Sequence, residues 1–129
     1  MIKEGMIFLY FSGACEQALA FYKEVFAAEI IEKMTYLEAE MSESAATDHL
    51  IMNSTMQLGN LKICANDVID TTPDIGSNVS IWLEIDTEEA LRGIYESFKE
   101  AGSKFVTELE RTFWNSFYFK VQDPFYIIW

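Results

Sequence analysis

The sequence has few cationic side chains, and this shortage excludes two classes of partner. Lys and Arg together number 9 against 21 Asp and Glu, so the formal net charge is -12 and the pI is about 4.3. Nucleic acid and anionic membrane surfaces repel a protein of this charge, and we exclude both as partners. Long apolar runs are also absent, because the run at residues 6–11 is far too short to span a bilayer.

Cysteine is limited to Cys15 and Cys64, which lack the CxxC spacing of redox and zinc sites. The N-terminal residues 1–4 do not have the pattern of a signal peptide. These two features predict a reduced, cytoplasmic protein. Cys15 begins a predicted helix but adjoins Glu16. We therefore interpret Cys15, like Cys64, as a buried structural cysteine rather than a reactive thiol.

Sequence motifs of several common enzyme classes are missing as well. No glycine-rich strand–helix turn is present to hold an adenosyl cofactor, and no Ser or Cys is paired with a plausible base. We therefore predict no catalytic residue and no cofactor. His49 is the only histidine and lies beside Asp48 at a predicted loop–strand junction. We interpret it as a solvated residue at a strand end, with a displaced metal ligand or a general base as the alternatives.

The hydrophobic pattern of the first half predicts the element order β-α-β-β-β. Short apolar-rich segments predict strands at residues 6–11, 29–37 and 61–66, and alternation of apolar and polar residues predicts a strand at residues 49–58. Apolar residues at helical spacing predict a helix at residues 14–28. Residues 38–48 combine acidic residues, Ser and Ala without periodicity, and we expect a mobile loop there.

The second half repeats this order. Strands are predicted at residues 79–85, 104–109, 114–121 and 125–129, with a turn at Asp123-Pro124. The helix between the first two strands begins at a capping box, with Asp86 as the N-cap and Glu89 three positions later, and ends at Gly102. The last seventeen residues hold eight aromatic rings, which suit a half-buried pleated surface.

These patterns predict an α+β protein built from two tandem βαβββ modules. The modules cover approximately residues 1–66 and 78–129, with a linker at residues 67–77, and we expect all 129 residues to form one domain. The repeat is visible in the order of elements more than in residue identity.

Five segments of the chain resemble a known superfamily. They are LYFSGACEQA at 9–18, FYKEVF at 21–26, IMN at 51–53, TFW at 112–114 and DPFYIIW at 123–129. On these segments the sequence resembles the PhnB-like branch of the vicinal oxygen chelate superfamily, which includes glyoxalases, bleomycin resistance proteins and dioxygenases. The resemblance implies cupped, mostly antiparallel mixed sheets with two helices packed outside. It also implies a cavity in which many members hold a divalent metal with His, Glu or Gln.

The positions that would hold such a metal carry unsuitable residues. The first position falls near Met6 or Ile7, the second at Asn53, the third at Ser80, and the carboxylate position one residue after Trp129. Asn and Ser alone are poor ligands for a transition metal, so we expect no metal site.

The resemblance and the strand alternation together predict which side chains line the cavity. If Asn53 and Ser80 face inward, residues of the same parity on their strands do so too. The predicted ligand-binding residues are Phe8, Tyr10, Asn53, Thr55, Gln57, Ser80, Trp82, Glu84 and Tyr126, with Met6 and Ile128 beside them. The alternative is a filled core in which these rings pack against one another.

We therefore expect a metal-free member of the superfamily that binds a small organic molecule. Two alternatives stay open: a metal-dependent lyase or dioxygenase that uses His49 and Glu84, and a structural dimer with a filled cup. The open sheet edges and an aromatic content of 15% also predict a homodimer.

Overall fold

The computed structural model describes all 129 residues, which fall into two compact units, Met1–Asp74 and Ile75–Trp129. The first unit contains five elements in the order β1 (Ile7–Phe11), α1 (Cys15–Phe26), β2 (Glu29–Thr35), β3 (Ile51–Leu58) and β4 (Leu61–Asp67). The second unit contains α2 (Glu88–Glu100), β5 (Lys104–Arg111) and β6 (Phe117–Gln122). The predicted α+β class is confirmed, and so is the β-α-β-β-β order of the first module. Neither helix is long and apolar enough to cross a membrane.

The strands of the first unit form one mixed sheet in the order β1-β4-β3-β2. β1 runs parallel to β4, whereas β3 is antiparallel to both of its neighbours. A two-residue turn joins β3 to β4, and Gly59 supplies its positive φ of 58° without a steric penalty. β1 and β2 therefore lie at opposite edges of the sheet, three strand spacings apart.

Helix α1 covers one face of this sheet. Its buried residues, Cys15, Ala18, Leu19, Tyr22 and Val25, follow the helical repeat and form a single stripe. The stripe packs against β2, β3 and β4, whose buried residues on that side include Met56, Ile63 and Ala65. Burial of each large apolar side chain in such a layer contributes about 1.5–3 kcal/mol. This layer is the core of the first unit.

The start of α1 has no side-chain cap of its own, because Ala14 occupies the N-cap position. The buried carboxylate of Asp67 replaces it and accepts hydrogen bonds from the backbone N–H groups of Gly13 at 2.8 Å and Cys15 at 3.0 Å. The same carboxylate accepts from the N–H of Ile51 at 3.0 Å. Asp67 was predicted as the first residue of a linker, but it is the last residue of β4.

The second unit is an antiparallel hairpin, β5–β6, packed against α2. Phe119 lies at the centre of an aromatic cluster, with ring centroids 5.4 Å from Tyr95, 6.2 Å from Phe98 and 5.9 Å from Phe105. The Tyr95 hydroxyl also donates to a carboxylate oxygen of Glu108 on β5 at 2.7 Å. These contacts hold the helix to one face of the hairpin.

Two predicted strands of the second unit do not form. Residues 79–85 are not a strand. A strand needs a row of backbone hydrogen bonds to a neighbouring strand, and this segment has a single such bond, from the N–H of Ile81 to the carbonyl of Ile128 at 2.9 Å. Residues 125–129 are not a strand either. Asp123 begins a turn that places Tyr126 at a φ of 73°. Antiparallel pairing with β6 is limited to residues 127–129, where Val121 and Trp129 exchange two backbone hydrogen bonds of 2.8 Å beside the bridge between Gln122 and Ile128.

Two predicted boundaries in the second unit were also wrong. The N-cap of α2 is Thr87, not Asp86, because the Thr87 hydroxyl accepts from the Ala90 N–H at 3.1 Å. β6 begins at Phe117 rather than residue 114, because a turn precedes it in which Asn115 has a φ of 64°. The predicted turn at Asp123 is confirmed: the Asp123 carboxylate accepts from the N–H groups of Phe125 and Ile127.

Candidate functional site

The side of the four-stranded sheet opposite α1, here called the open face, carries five of the nine predicted ligand-binding residues. Register identifies its members, because cross-strand partners share a face. Thr55 pairs with Cys64 and Glu32, and Cys64 pairs with Phe8. The open face therefore consists of Phe8 and Tyr10 on β1, Lys62, Cys64 and Asn66 on β4, Asn53, Thr55 and Gln57 on β3, and Glu29, Glu32 and Met34 on β2.

The β1 edge of the open face is aromatic. Phe8 and Tyr10 are 47% and 52% exposed, and their rings lie 6.3 Å apart between centroids at an interplanar angle of 20°. Residues two positions apart on a strand project from the same face, which brings these rings side by side. Their exposed ring surface can stack on an apolar group.

The middle of the open face is formed by small and sulfur-containing side chains. The Cys64 sulfur lies 3.6 Å from the Thr55 hydroxyl oxygen and 3.6 Å from the Met6 sulfur. Cys64 is only 4% exposed, as predicted for a structural cysteine. Thr55 is half-buried. Its hydroxyl can both donate and accept a hydrogen bond, whereas the sulfur atoms of Cys64 and Met6 are weak hydrogen-bonding groups.

The β2 edge of the open face is acidic. The amide nitrogen of Asn53 lies 3.4 Å and 3.5 Å from the two carboxylate oxygens of Glu32, which is a long contact for a hydrogen bond. Gln57 is less available, because its amide nitrogen donates to the carbonyl of Gly59 at 2.8 Å within its own hairpin. Asn53 and Glu32 therefore offer a donor and an acceptor side by side.

A cavity of about 450 Å³ lies where the N-terminal segment meets the turn between β3 and β4. It is lined by Glu4, Gly5, Met6, Ile7, Asn60, Leu61 and Lys62. None of the nine predicted ligand-binding residues lines it. Met6 and Lys62 connect this cavity to the open face, because Met6 touches Cys64 and Lys62 pairs with Gln57.

The other four predicted residues belong to the second unit. Ser80, Trp82 and Glu84 lie on the segment that was wrongly predicted as a strand, and all three are exposed, with Trp82 at 73%. Tyr126 is 57% exposed and lies in the turn after Asp123. Their assignment to the ligand site stays a prediction.

The thiol of Cys15 is unsuited to nucleophilic chemistry. Burial, followed by the charge of Asp67, raises its pKa from the ordinary value of 9.0 to about 12. A thiol of that pKa is almost wholly protonated at neutral pH, and the thiolate is the reactive form. The prediction that Cys15 is a buried structural cysteine is confirmed.

Two residues of this region were missed by sequence reasoning. Glu32 was not predicted on the open face, and Asp67 was assigned to a linker rather than to a strand end. The available signal for Asp67 was an acidic residue two positions after the apolar run at residues 63–65, because a buried carboxylate needs several donors. No sequence signal marked Glu32.

Comparison with known proteins shows the superfamily to which this chain is related. The pattern of the Glyoxalase/Bleomycin resistance protein/Dioxygenase superfamily matches residues 7–129. The chain belongs to this superfamily. Among curated relatives, protein YjdN of Escherichia coli K12 is 27% identical to this chain, and the alignment covers 95% of this chain and 89% of YjdN.

Solved structures of the superfamily share the fold. Protein PA1353 from Pseudomonas aeruginosa superposes with a TM-score of 0.83 at 21% identity, covering 99% of this chain and 95% of PA1353. A Bacillus cereus PhnB protein, described as a putative 3-demethylubiquinone-9 3-methyltransferase, gives a TM-score of 0.82 at 17% identity. The superposition covers 98% of this chain and 96% of the PhnB protein. The fosfomycin resistance protein FosX from Listeria monocytogenes, complexed with Mn(II) and sulfate, superposes with a TM-score of 0.64 at 18% identity. The superposition covers 99% of this chain and 89% of FosX.

The residues of this chain do not fit the divalent metal that the superfamily implies. No group of three or more His, Cys, Asp or Glu side chains converges to hold an ion. Asn53 is a neutral amide whose nearest polar contact is Glu32, and His49 is exposed in the turn before β3. A single carboxylate and a neutral amide are too few strong donors for a transition metal.

Proposed function

We propose that this protein binds a small organic molecule on the open face without the help of a divalent metal. The observation that supports this most directly is the pair of half-exposed, stacked rings of Phe8 and Tyr10 beside the polar groups of Thr55 and Asn53. Ligand sites combine a large apolar area with a few polar groups that fix orientation. The open face has this composition.

Each part of the face contributes a different interaction. Phe8 and Tyr10 provide ring surface, and an aromatic stack is worth about 0.5–1.5 kcal/mol beyond the area it buries. Thr55 and Asn53 provide donors and acceptors that select a ligand by its polar atoms. Because these residues lie on two strands of one sheet, β1 and β3, their spacing is fixed before a ligand binds.

We also propose that the protein is a cytoplasmic homodimer. Cys15 and Cys64 are both free thiols, which favours a reducing compartment. β1 and β2 are edge strands, and apolar side chains near them, including Ile31, Leu37 and Met41, are exposed. A second copy that covered this surface would remove an aggregation-prone edge.

The experiment is a fragment screen by nuclear magnetic resonance in the presence of a metal chelator. We expect aromatic fragments to shift the backbone amide signals of Phe8, Tyr10, Asn53 and Thr55 together. A Tyr10→Ala variant should bind the same fragments several-fold more weakly. Trp114→Ala is the matched control, because Trp114 is also an exposed aromatic residue, at 62%, and lies outside the open face.

Two results would contradict this proposal. Fragment binding that disappears with the chelator would favour the metal-dependent lyase or dioxygenase. The absence of any fragment that shifts the open-face signals would favour the structural dimer with a filled cup.

A further inference from the structure

We infer that the ligand of the open face carries a positive charge together with an aromatic or apolar group. This inference rests on the proposed function and adds the chemical class of the ligand. It is carried by the row of cross-strand partners Phe8, Cys64, Thr55 and Glu32, which has an aromatic ring at one edge of the sheet and a carboxylate at the other.

The carboxylate of Glu32 is available to a ligand. The ion pairs of the chain are Lys33 with Glu16 and Arg92 with Glu88, so Glu32 has no cationic partner. Its contact with the Asn53 amide is long, at 3.4 Å and 3.5 Å, and Glu32 is exposed. A ligand ammonium group can therefore approach this carboxylate without displacing an existing ion pair.

The remaining charges of the open face also favour a cation. Glu29 adds a second carboxylate, opposite Gln57, and Lys62 on the other side of Gln57 is the face's one cation. Glu32 and Phe8 lie in the next row of cross-strand partners, and Tyr10 lies one row further from Lys62. With a net charge of -12 on the whole chain, the surrounding field repels an anion and attracts a cation.

The distance between the two edges sets the length of the ligand. Four strands spaced about 4.8 Å apart place β1 and β2 about 14 Å from each other. A molecule that stacks on Phe8 and Tyr10 and also reaches Glu32 needs a comparable extended length. A single-ring compound with a directly attached charge is too short, whereas a ring joined to an amine by an alkyl chain fits.

The test uses three probes that differ only in their terminal group. Each has a naphthyl ring joined through a pentyl chain to a primary ammonium, a hydroxyl or a carboxylate. Binding is measured by calorimetry and by the amide signals of Phe8, Thr55 and Glu32. We expect the ammonium probe to bind about tenfold more tightly than the carboxylate probe, with the alcohol between them.

Two variants locate the charge that is responsible. In Glu32→Gln the affinity for the ammonium probe should fall about threefold to fivefold, with no change for the alcohol, because an exposed ion pair contributes this much. Glu24→Gln is the matched control, since it removes the same charge from an exposed position on α1 and should leave both affinities unchanged.

The outcomes separate this inference from the proposed function. Equal affinities for the three probes, with shifts on the open face, would overturn the inference and leave the proposed function standing. Tightest binding of the carboxylate probe would overturn the inference in the same way. If Glu32→Gln and Glu24→Gln lower the affinity for the ammonium probe equally, Glu32 is not the carboxylate that binds the ammonium group. No binding of any probe at the open face would count against the proposed function itself.

Discussion

The backbone N–H of Cys15 donates a hydrogen bond to the carboxylate of Asp67 at 3.0 Å, which joins the start of α1 to the end of β4. The same carboxylate holds the N–H of Ile51 at the start of β3, and the Asp67 carbonyl accepts from the Tyr36 hydroxyl at 2.6 Å. One buried residue therefore fixes three elements, and two of them carry Asn53, Thr55 and Cys64 on the open face. The geometry of the candidate site depends on a residue that does not belong to it.

Replacement of Asp67 by Ala should destabilise the protein by about 2–4 kcal/mol. The change leaves the N–H groups of Gly13, Cys15 and Ile51 without their acceptor, and unpaired buried donors cost about 1–3 kcal/mol each before relaxation. The free energy of unfolding in urea measures the effect. Asp70→Ala is the control, because Asp70 is exposed. Losses of equal size in the two variants would contradict the role given to Asp67.

The buried thiol of Cys15 should make stability fall at alkaline pH. Its pKa is about 12 in the folded protein against an ordinary value of 9.0, so the unfolded chain releases this proton first. The stabilisation is complete below pH 9 and is lost as the pH rises towards 12. Between about pH 9 and 10.5 the unfolding free energy should drop by about 1–2 kcal/mol more in the wild type than in Cys15→Ala. If the unfolding free energies of the wild type and Cys15→Ala depend on pH in the same way, the pKa of Cys15 is not raised in the folded protein.

Trp82 is predicted to line the ligand site, so its replacement should change the signals that accompany ligand binding. In Trp82→Ala, the rise in melting temperature caused by a bound fragment should shrink, and the ligand-induced change in tryptophan fluorescence should weaken. Tyr10→Ala provides the comparison from the open face. If Trp82→Ala behaves as the wild type does in both measurements, Trp82 is outside the ligand site.

Sedimentation equilibrium at low micromolar concentration should give about twice the chain mass of 14.8 kDa. A stable two-fold interface buries about 1,600 Å² or more in total, and the exposed apolar residues near the sheet edges provide candidates for that area. The charge of -12 opposes association, but charged groups usually occupy the rim of an interface. A monomer at the chain mass would refute the homodimer.

Residues 38–48 should exchange their amide hydrogens faster than β3. Few apolar side chains anchor this segment, and its contacts are local hydrogen bonds, such as the one from the Ser42 hydroxyl to the Asp48 carboxylate and the one between the hydroxyls of Ser42 and Thr47. Hydrogen exchange followed by mass spectrometry compares the two segments in one experiment. Protection throughout residues 38–48 at the level of β3 would show that the local hydrogen bonds are enough to order the segment.

The sequence by itself determined the first module and the superfamily. Alternation on β3 separates Asn53, Thr55 and Gln57 from Met56 and Leu58, and a strand with one face against a helix must follow that pattern. The stripe on α1 is equally direct, because apolar residues recur at helical spacing. Both signals are local, so they can be read without knowing the partner of either element.

Tertiary structure decided the features that depend on distant partners. Residues 79–85 alternate like a strand but lack a neighbouring ladder, and the donors that bind Asp67 lie as far as 54 positions away. The position of Glu32 depends on a register shift in β2: Ile30 pairs with Met56 on the helix side, yet Glu32 pairs with Thr55 on the open face. An irregularity of this kind reverses the parity of the residues that follow it, and neighbouring residues do not encode where it falls.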